Sequence, residues 1–185
     1  PIDLPRPATS TIGETDNLDQ MLPLLAIRGF GQSEDQMVPL HMAMVASTVA
    51  NDGKMMKPYV VEATFDKAGR ELSRTEPEVW KTPISAETAA LETEFMVGVV
   101  ESGTASCCLA LDGGIQAAAK TGTAELGIAS NPDLSHAWIV AFAPAEDPEF
   151  AVSVVLTDVQ STQDVSATGG RLAGPIAETM LNFLL

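Results

Sequence analysis

The chain is short of cations. Ten Lys and Arg stand against 25 Asp and Glu, a formal net charge of −15 over 185 residues. Such a surface repels phosphate backbones and anionic headgroups, which argues against nucleic acid as a partner. Long apolar runs are also missing, so no segment reads as a bilayer span, and no signal peptide opens the sequence. Histidine and cysteine number two each. Cys107 and Cys108 are adjacent, form no C-x-x-C, and lie far in sequence from His41 and His136. That spacing fits no metal site, and neither a metal nor a cofactor is expected. The cysteines read either as two small apolar residues in or near a core, or as partners in a disulfide to a cysteine upstream of Pro1.

What is present suffices for one domain, since 45 % of the residues are hydrophobic and the length suits a single core. The opening Pro1-Ile-Asp-Leu-Pro-Arg-Pro7 lacks a start methionine, and the expectation is an internal fragment. Residues 1–35 are rich in Pro, Thr, Asp and Gly and read as loop with at most a short element near Leu22–Ile27. Residues 36–185 read as helices and sheet. Pro39 opens a helix that Asn51-Asp52-Gly53 closes. Pro58–Phe65 carries β-branched and aromatic residues and predicts a strand, with a turn at Asp66–Gly69 and a short return strand over 70–72. Ser85 is an N-cap for a long helix with Glu87 in its first turn. Leu91, Phe95 and Val99, with Met96 and Val100 beside them, form the stripe expected to face the core.

Three short apolar runs follow, Ile115–Glu125, Ala137–Ala143 and Phe150–Leu156, separated by turn-rich segments at Asn131-Pro132-Asp133 and 144–148. They predict adjacent antiparallel strands. Gly169-Gly170 precedes a final helix over Pro175–Leu185, with Ile176, Met180, Phe183 and Leu184 as its apolar face. The fold class is therefore α/β of the α+β type, an antiparallel sheet with helices packed against it.

One stretch carries chemistry. Lys120-Thr121-Gly122-Thr123 lies on the first of the three strands. A cation, two hydroxyls and a glycine side by side can hold a substrate carboxylate and an extended peptide backbone together. Gly122 has no Cβ, so a ligand backbone can come close. Alone, Lys120 would pass for a surface lysine at a strand end. His41 and His136 have no confirmable Ser or Asp partner and read as structural. Glu125 either touches substrate or begins the next loop.

This run resembles the K-T-G signature of penicillin-binding proteins and serine β-lactamases. Other segments resemble the same family in its order. They are Gly29-Phe30-Gly31-Gln32, then Val38-Pro39-Leu40-His41-Met42-Ala43, Asn51-Asp52-Gly53 with Pro58, Gly103-Thr104-Ala105, and His136-Ala137-Trp138 through Pro144. Val38 stands where the family usually has Thr, His41 where it has Gln, and Ala119 where Gly often precedes the lysine. The His-Ala-Trp strand looks like the class B transpeptidases. No serine is followed three positions later by lysine and no S-x-N occurs, so the nucleophile and its base are absent from these residues.

The resemblance implies a penicillin-binding protein/serine β-lactamase-like fold, incomplete in this chain. The chain would be the C-terminal part of a peptidoglycan D,D-transpeptidase domain, partnered by the upstream half. It implies that the Thr121 and Thr123 hydroxyls bind the carboxylate of D-Ala-D-Ala or of a β-lactam. Lys120 would keep the local potential positive, and the Thr123 backbone N–H would be one half of an oxyanion hole. The stem peptide would add to the strand edge. The parent would sit at the outer face of a bacterial cell membrane. A D,D-carboxypeptidase or β-lactamase, or a non-catalytic β-lactam sensor, are the alternative readings.

Overall fold

The computed structural model describes residues 2–13, 16, 20–126, 134–162 and 166–185. The turn expected at Asn131–Asp133 lies outside them. Among the described residues four α-helices and seven strands are formed: α1 Leu22–Arg28, α2 Pro39–Ala50, β1 Met55–Met56, β2 Ala63–Phe65, β3 Glu71–Arg74, β4 Val79–Lys81, α3 Ala86–Glu101, β5 Ala118–Glu125, β6 Leu134–Ala143, β7 Phe150–Gln160 and α4 Gly174–Leu184. A π-helical turn, Gly169–Ala173, leads into α4.

The main sheet is antiparallel in the order β5-β6-β7, with β6 central. Alternation along these strands sends side chains to two faces. One face carries Ala117, Ala119, Ile139, Ala141, Val152 and Val154, packed against Ala105, Leu109 and the α4 residues Ala177 and Leu181. The other carries Ala118, Val140 and Phe142, packed against Ala46 of α2 and Met96 of α3. Helices thus cover both faces of a short sheet, as an α+β layer arrangement requires. Alanine at so many facing positions lets the layers approach closely, while Phe142, Ile139, Leu109 and Leu181 supply the bulk.

Helix boundaries follow local chemistry. Pro39 occupies the first turn of α2, and Gly53 takes φ +79° past its end, where a Cβ would meet the Ile84 carbonyl oxygen at 2.2 Å. Ser85 caps α3, its hydroxyl accepting the Thr88 N–H at 3.1 Å. The buried faces follow expectation only in part. In α3 Met96 is buried and Val99 and Val100 pack against a core as expected, but Leu91 and Phe95 are 49 % and 58 % exposed and Ala89 is buried instead. In α4 the buried residues are Gly174, Ala177 and Leu181, and Phe183 is 88 % exposed. Both helices are apolar on more than one side. In α4 the side that packs carries Gly174 and Ala177 beside Leu181, and the small residues let the helix axis close on the alanine-rich sheet.

Residues 55–81 also depart from expectation. The strand expected over Pro58–Phe65 shrinks to Ala63–Phe65, paired with β3. Val60 and Val61 instead donate their N–H groups to the Asp3 carboxylate at 2.7 and 2.9 Å. A second pair, β1 with β4, was not expected. The predicted Asp66–Gly69 turn forms, with Asp66 accepting from Ala68 and Arg70 N–H groups at 2.8 and 2.9 Å.

Candidate active site

The site is built on β5. Its first half is anchored between the two cores, with Ala117, Ala118 and Ala119 at most 2 % exposed. From Lys120 onward the strand emerges, and Thr121 and Gly122 are half-buried. β5 pairs only with β6 among the described residues, so one of its edges is open.

The ladder's parity decides which backbone groups face that edge. In an antiparallel pair, residues alternate between exchanging both hydrogen bonds with the partner and pointing both groups away. Leu126 donates to the Leu134 carbonyl, placing the even-numbered residues in the ladder with β6. The odd-numbered Thr121, Thr123 and Glu125 therefore turn their N–H and C=O groups outward. Two side chains fit this parity: Lys120 Nζ donates to the Thr121 carbonyl at 2.7 Å, and Gln32 Nε2 donates to the Glu125 carbonyl at 2.8 Å.

The four sequence-predicted residues are thus gathered at one exposed strand end. The Thr121 and Thr123 side chains share a face by strand alternation. Gly122 lies opposite Trp138, and a Cβ on it would be 3.4 Å from Trp138 Cβ, an ordinary contact within the chain. Among the described residues nothing in the packing demands glycine there.

Three supports for this strand escaped the sequence reading. Thr104, in the turn after α3, places its hydroxyl 2.6 Å from that of Thr121. Gly169 and Gly170 press against the strand from behind: a Cβ on Gly169 would lie 2.0 Å from the Trp138 carbonyl oxygen and 2.5 Å from that of Gly122. A Cβ on Gly170 would lie 2.1 Å from the Thr104 carbonyl oxygen. Gln32 reaches across 93 residues to hold the end of β5. The doubled glycine was the available signal, since paired glycines mark close backbone approach as well as turns.

Both histidines have partners of a structural kind. His41 Nδ1 lies 2.9 Å from Ser10 Oγ, which also accepts the Val38 N–H, tying the N-terminal segment to the start of α2. His136 Nδ1 accepts the Asp158 N–H at 3.1 Å. Asp158 has φ +54° beside a register shift in the β6–β7 ladder, so His136 satisfies a donor that the bulge frees. The cysteines follow neither reading offered for them. Cys107 is exposed, Cys108 half-buried, and the two are joined to each other. Pairing between cysteines is not deducible from sequence, which is why this escaped notice. Among the described residues no cluster of His, Cys, Asp and Glu could hold a metal ion, and no helix is long and apolar enough to cross a membrane.

An open strand end bearing Lys-Thr-Gly-Thr, backed by two helix-covered cores, is the arrangement of a penicillin-binding domain. Residues 3–182 match the family described as the penicillin binding protein transpeptidase domain, and the chain belongs to it. It is 40 % identical over 157 residues to the peptidoglycan D,D-transpeptidase PbpA of Mycolicibacterium smegmatis, covering 85 % of this chain and 31 % of that protein. Identity to the PbpA of Mycobacterium tuberculosis is 34 % over 186 residues, covering 98 % of this chain and 36 % of that one. A solved structure of M. tuberculosis penicillin-binding protein A as its penicillin G acyl-enzyme superimposes with a TM-score of 0.79 at 34 % identity, covering 96 % of this chain and 38 % of the other. The chain spans about a third of the length of these relatives.

Proposed function

We propose that residues 1–185 form the substrate-recognition wall of a bacterial peptidoglycan D,D-transpeptidase. The observation that carries the reading is the outward parity of Thr121 and Thr123 at an open strand edge beside the Lys120 ammonium. An extended stem peptide pairs with that edge as an added strand, and Gly122 lets its backbone approach. The Thr121 and Thr123 hydroxyls, on one face, donate to the terminal carboxylate of D-Ala-D-Ala or to that of a β-lactam. Lys120 adds positive potential for that carboxylate.

The reaction is acyl transfer through a serine ester. The serine hydroxyl, losing its proton to a neighbouring base, attacks the carbonyl between the two D-alanines. The C–N bond breaks and D-alanine leaves with a proton. The amine of a second stem then displaces the serine and forms the cross-link. The developing oxyanion takes the outward N–H of Thr123, and one such donor contributes about 2.7–4 kcal/mol to the transition state. None of the serines here has the S-x-x-K pattern, so the nucleophile is assigned to a complementary segment of the same domain. The relatives' names and the penicillin G acyl-enzyme of M. tuberculosis penicillin-binding protein A support this assignment. Peptidoglycan as substrate places the working protein at the outer face of the cell membrane.

The test is labelling by a fluorescent penicillin in the intact protein that carries these residues. Gly122→Val is expected to abolish labelling with little loss of thermal stability, since a Cβ there makes only an ordinary contact with Trp138. Undiminished labelling of a folded Gly122→Val variant shows that this strand does not line the site. A penicilloyl adduct on a serine of residues 1–185 places the nucleophile in this chain instead.

A further inference from the structure

Thr104 stands one hydroxyl behind the candidate site. It belongs to the turn that ends α3, and the turn is firmly built. Ser102 N–H bonds the Gly98 carbonyl, Ala105 N–H bonds the Val99 carbonyl, and the Ala105 carbonyl accepts from both Cys108 and Leu109. Ala105 and Leu109 are buried in the core beneath. Gly170 seats against the Thr104 carbonyl, where no Cβ could fit, and a Cβ at Gly170 would also touch Thr121 Cγ2 at 3.6 Å. The backbone of Thr104 is thereby held between the end of α3 and the turn before α4. Its side chain ends 2.6 Å from Thr121 Oγ1.

Proton counting gives this contact a direction. A hydroxyl has one proton to donate, and a carboxylate only accepts. When Thr121 donates to a bound carboxylate, its contact with Thr104 survives only if Thr104 is the donor. The protons then run one way, from Thr104 to Thr121 to the carboxylate, and each bond polarises the next. The contact also selects a rotamer. Thr121 is β-branched, and a turn about χ1 exchanges its hydroxyl for its methyl. A donor fixed on a packed turn makes the hydroxyl-in-place rotamer the favoured one.

We propose that Thr104 is a positioning residue for carboxylate recognition: its hydroxyl donates to Thr121 and aims the Thr121 proton at the substrate carboxylate. The proposal rests on the assignment of Thr121 to the carboxylate made above. Thr104 touches no reacting atom. It acts through Thr121 alone, and that dependence is what can be measured.

The experiment follows acylation rate constants of the intact protein with a penicillin and with its methyl ester, which lacks the anionic carboxylate. Thr104→Val keeps the branched shape and removes the hydroxyl. It is expected to slow the free acid about fivefold, the effect of one ordinary hydrogen bond near 1 kcal/mol, and to leave the ester unchanged. Thr104→Ser is expected to restore the parent rate. On a Thr121→Val background, Thr104→Val should cost nothing further. Equal slowing of acid and ester, or a full additional loss on the Thr121→Val background, overturns the proposal and leaves Thr104 a part of the turn only. If Thr121→Val itself leaves acylation by the acid intact, the carboxylate assignment fails first and this proposal falls with it. Thermal melting of each variant accompanies the rates, and Thr104→Ala serves in place of Thr104→Val should the latter not fold.

Discussion

The three-stranded sheet and the two small sheets of residues 55–81 are held by opposite means. In the first, alanines and a few large side chains exclude water from both faces of β6, and Phe142, Ile139 and Leu181 are fully buried. In the second, every residue of β3 and β4 is exposed, among the strand residues only Met55 is buried, and charged groups supply most of the ties. Asp3 accepts two backbone N–H groups, Asp66 closes a turn, Lys57 pairs with Glu78 at 3.0 Å, and Arg74 with Glu71 at 2.6 Å. Packing fixes position to a fraction of an ångström, because atoms in contact on both sides cannot shift. Exposed carboxylates fix position only while charged, and screened by water they add little to overall stability. The candidate site is attached to the packed region.

The sharpest way to break this contrast is to put a methyl group where the sheet leaves no space. Gly169→Ala forces a Cβ to within 2.0 Å of the Trp138 carbonyl oxygen, against backbone that cannot rotate away. Overpacking usually costs about 1–3 kcal/mol, and this position is expected at or above the upper end, with penicillin labelling reduced as β5 shifts. A Gly169→Ala variant that melts with the parent and labels normally would show the turn to be pliable and the contrast mistaken.

A somewhat smaller effect separates the true buried face of α4 from the apparent one. Leu181→Ala is expected to cost about 2–5 kcal/mol in denaturant unfolding, as for other buried leucines. Phe183→Ala, at a position 88 % exposed, is expected to stay within about 0.5 kcal/mol in residues 1–185. The reverse order would mean that the helix is rotated about its axis.

The finest test uses acid on the charged region. Two N–H donors, Val61 first and then Val60, lower the Asp3 carboxyl below its ordinary 3.8. A group whose folded value is depressed contributes fully above the unfolded value and loses that contribution as pH falls through the folded one. Exchange protection of the Val60 and Val61 amides, corrected for intrinsic rates, should therefore fade as pH drops below 3.8, while that of Ala118 and Ala141 in the sheet persists. Asp3→Asn should abolish the pH dependence. Parallel loss in both regions would mean that they unfold as one unit and that the carboxylate holds nothing locally.

How far the sequence could be read follows the same division. The packed elements were legible because their signals are local: Pro39 and Ser85 at helix starts, Gly53 past a helix end, three apolar runs, and the Lys-Thr-Gly-Thr stretch itself. Which face of α4 is buried was not legible, and of the α3 stripe only the Met96, Val99 and Val100 part packs as read. Periodicity reports where apolar residues sit, and Leu91, Phe95 and Phe183 sit as regularly as the residues that pack. β1 and β4 are too short to leave a pattern. The strand expected at Pro58–Phe65 was mostly lost to Asp3, a competitor 57 and 58 residues away. The candidate stretch Lys120–Thr123 could be picked out from sequence, but the contacts that hold it could not. Thr104 reaches Thr121 across 17 residues and no motif within either segment announces the meeting.

The bond from Gln32 to the carbonyl of Glu125 has a meaning in time as well as in place. It closes a loop of 93 residues, and a contact of such separation gains nothing until the chain between has been ordered. The β5–β6 ladder closes over shorter separations, from Glu125 with Ser135 out to Ala118 with Phe142. The outward carbonyl of Glu125 waits for a segment made much earlier to return. The tether on the open edge is therefore set late in folding, after the ladder behind it exists. A nascent chain interrupted before that closure would carry a finished core and an unfinished site.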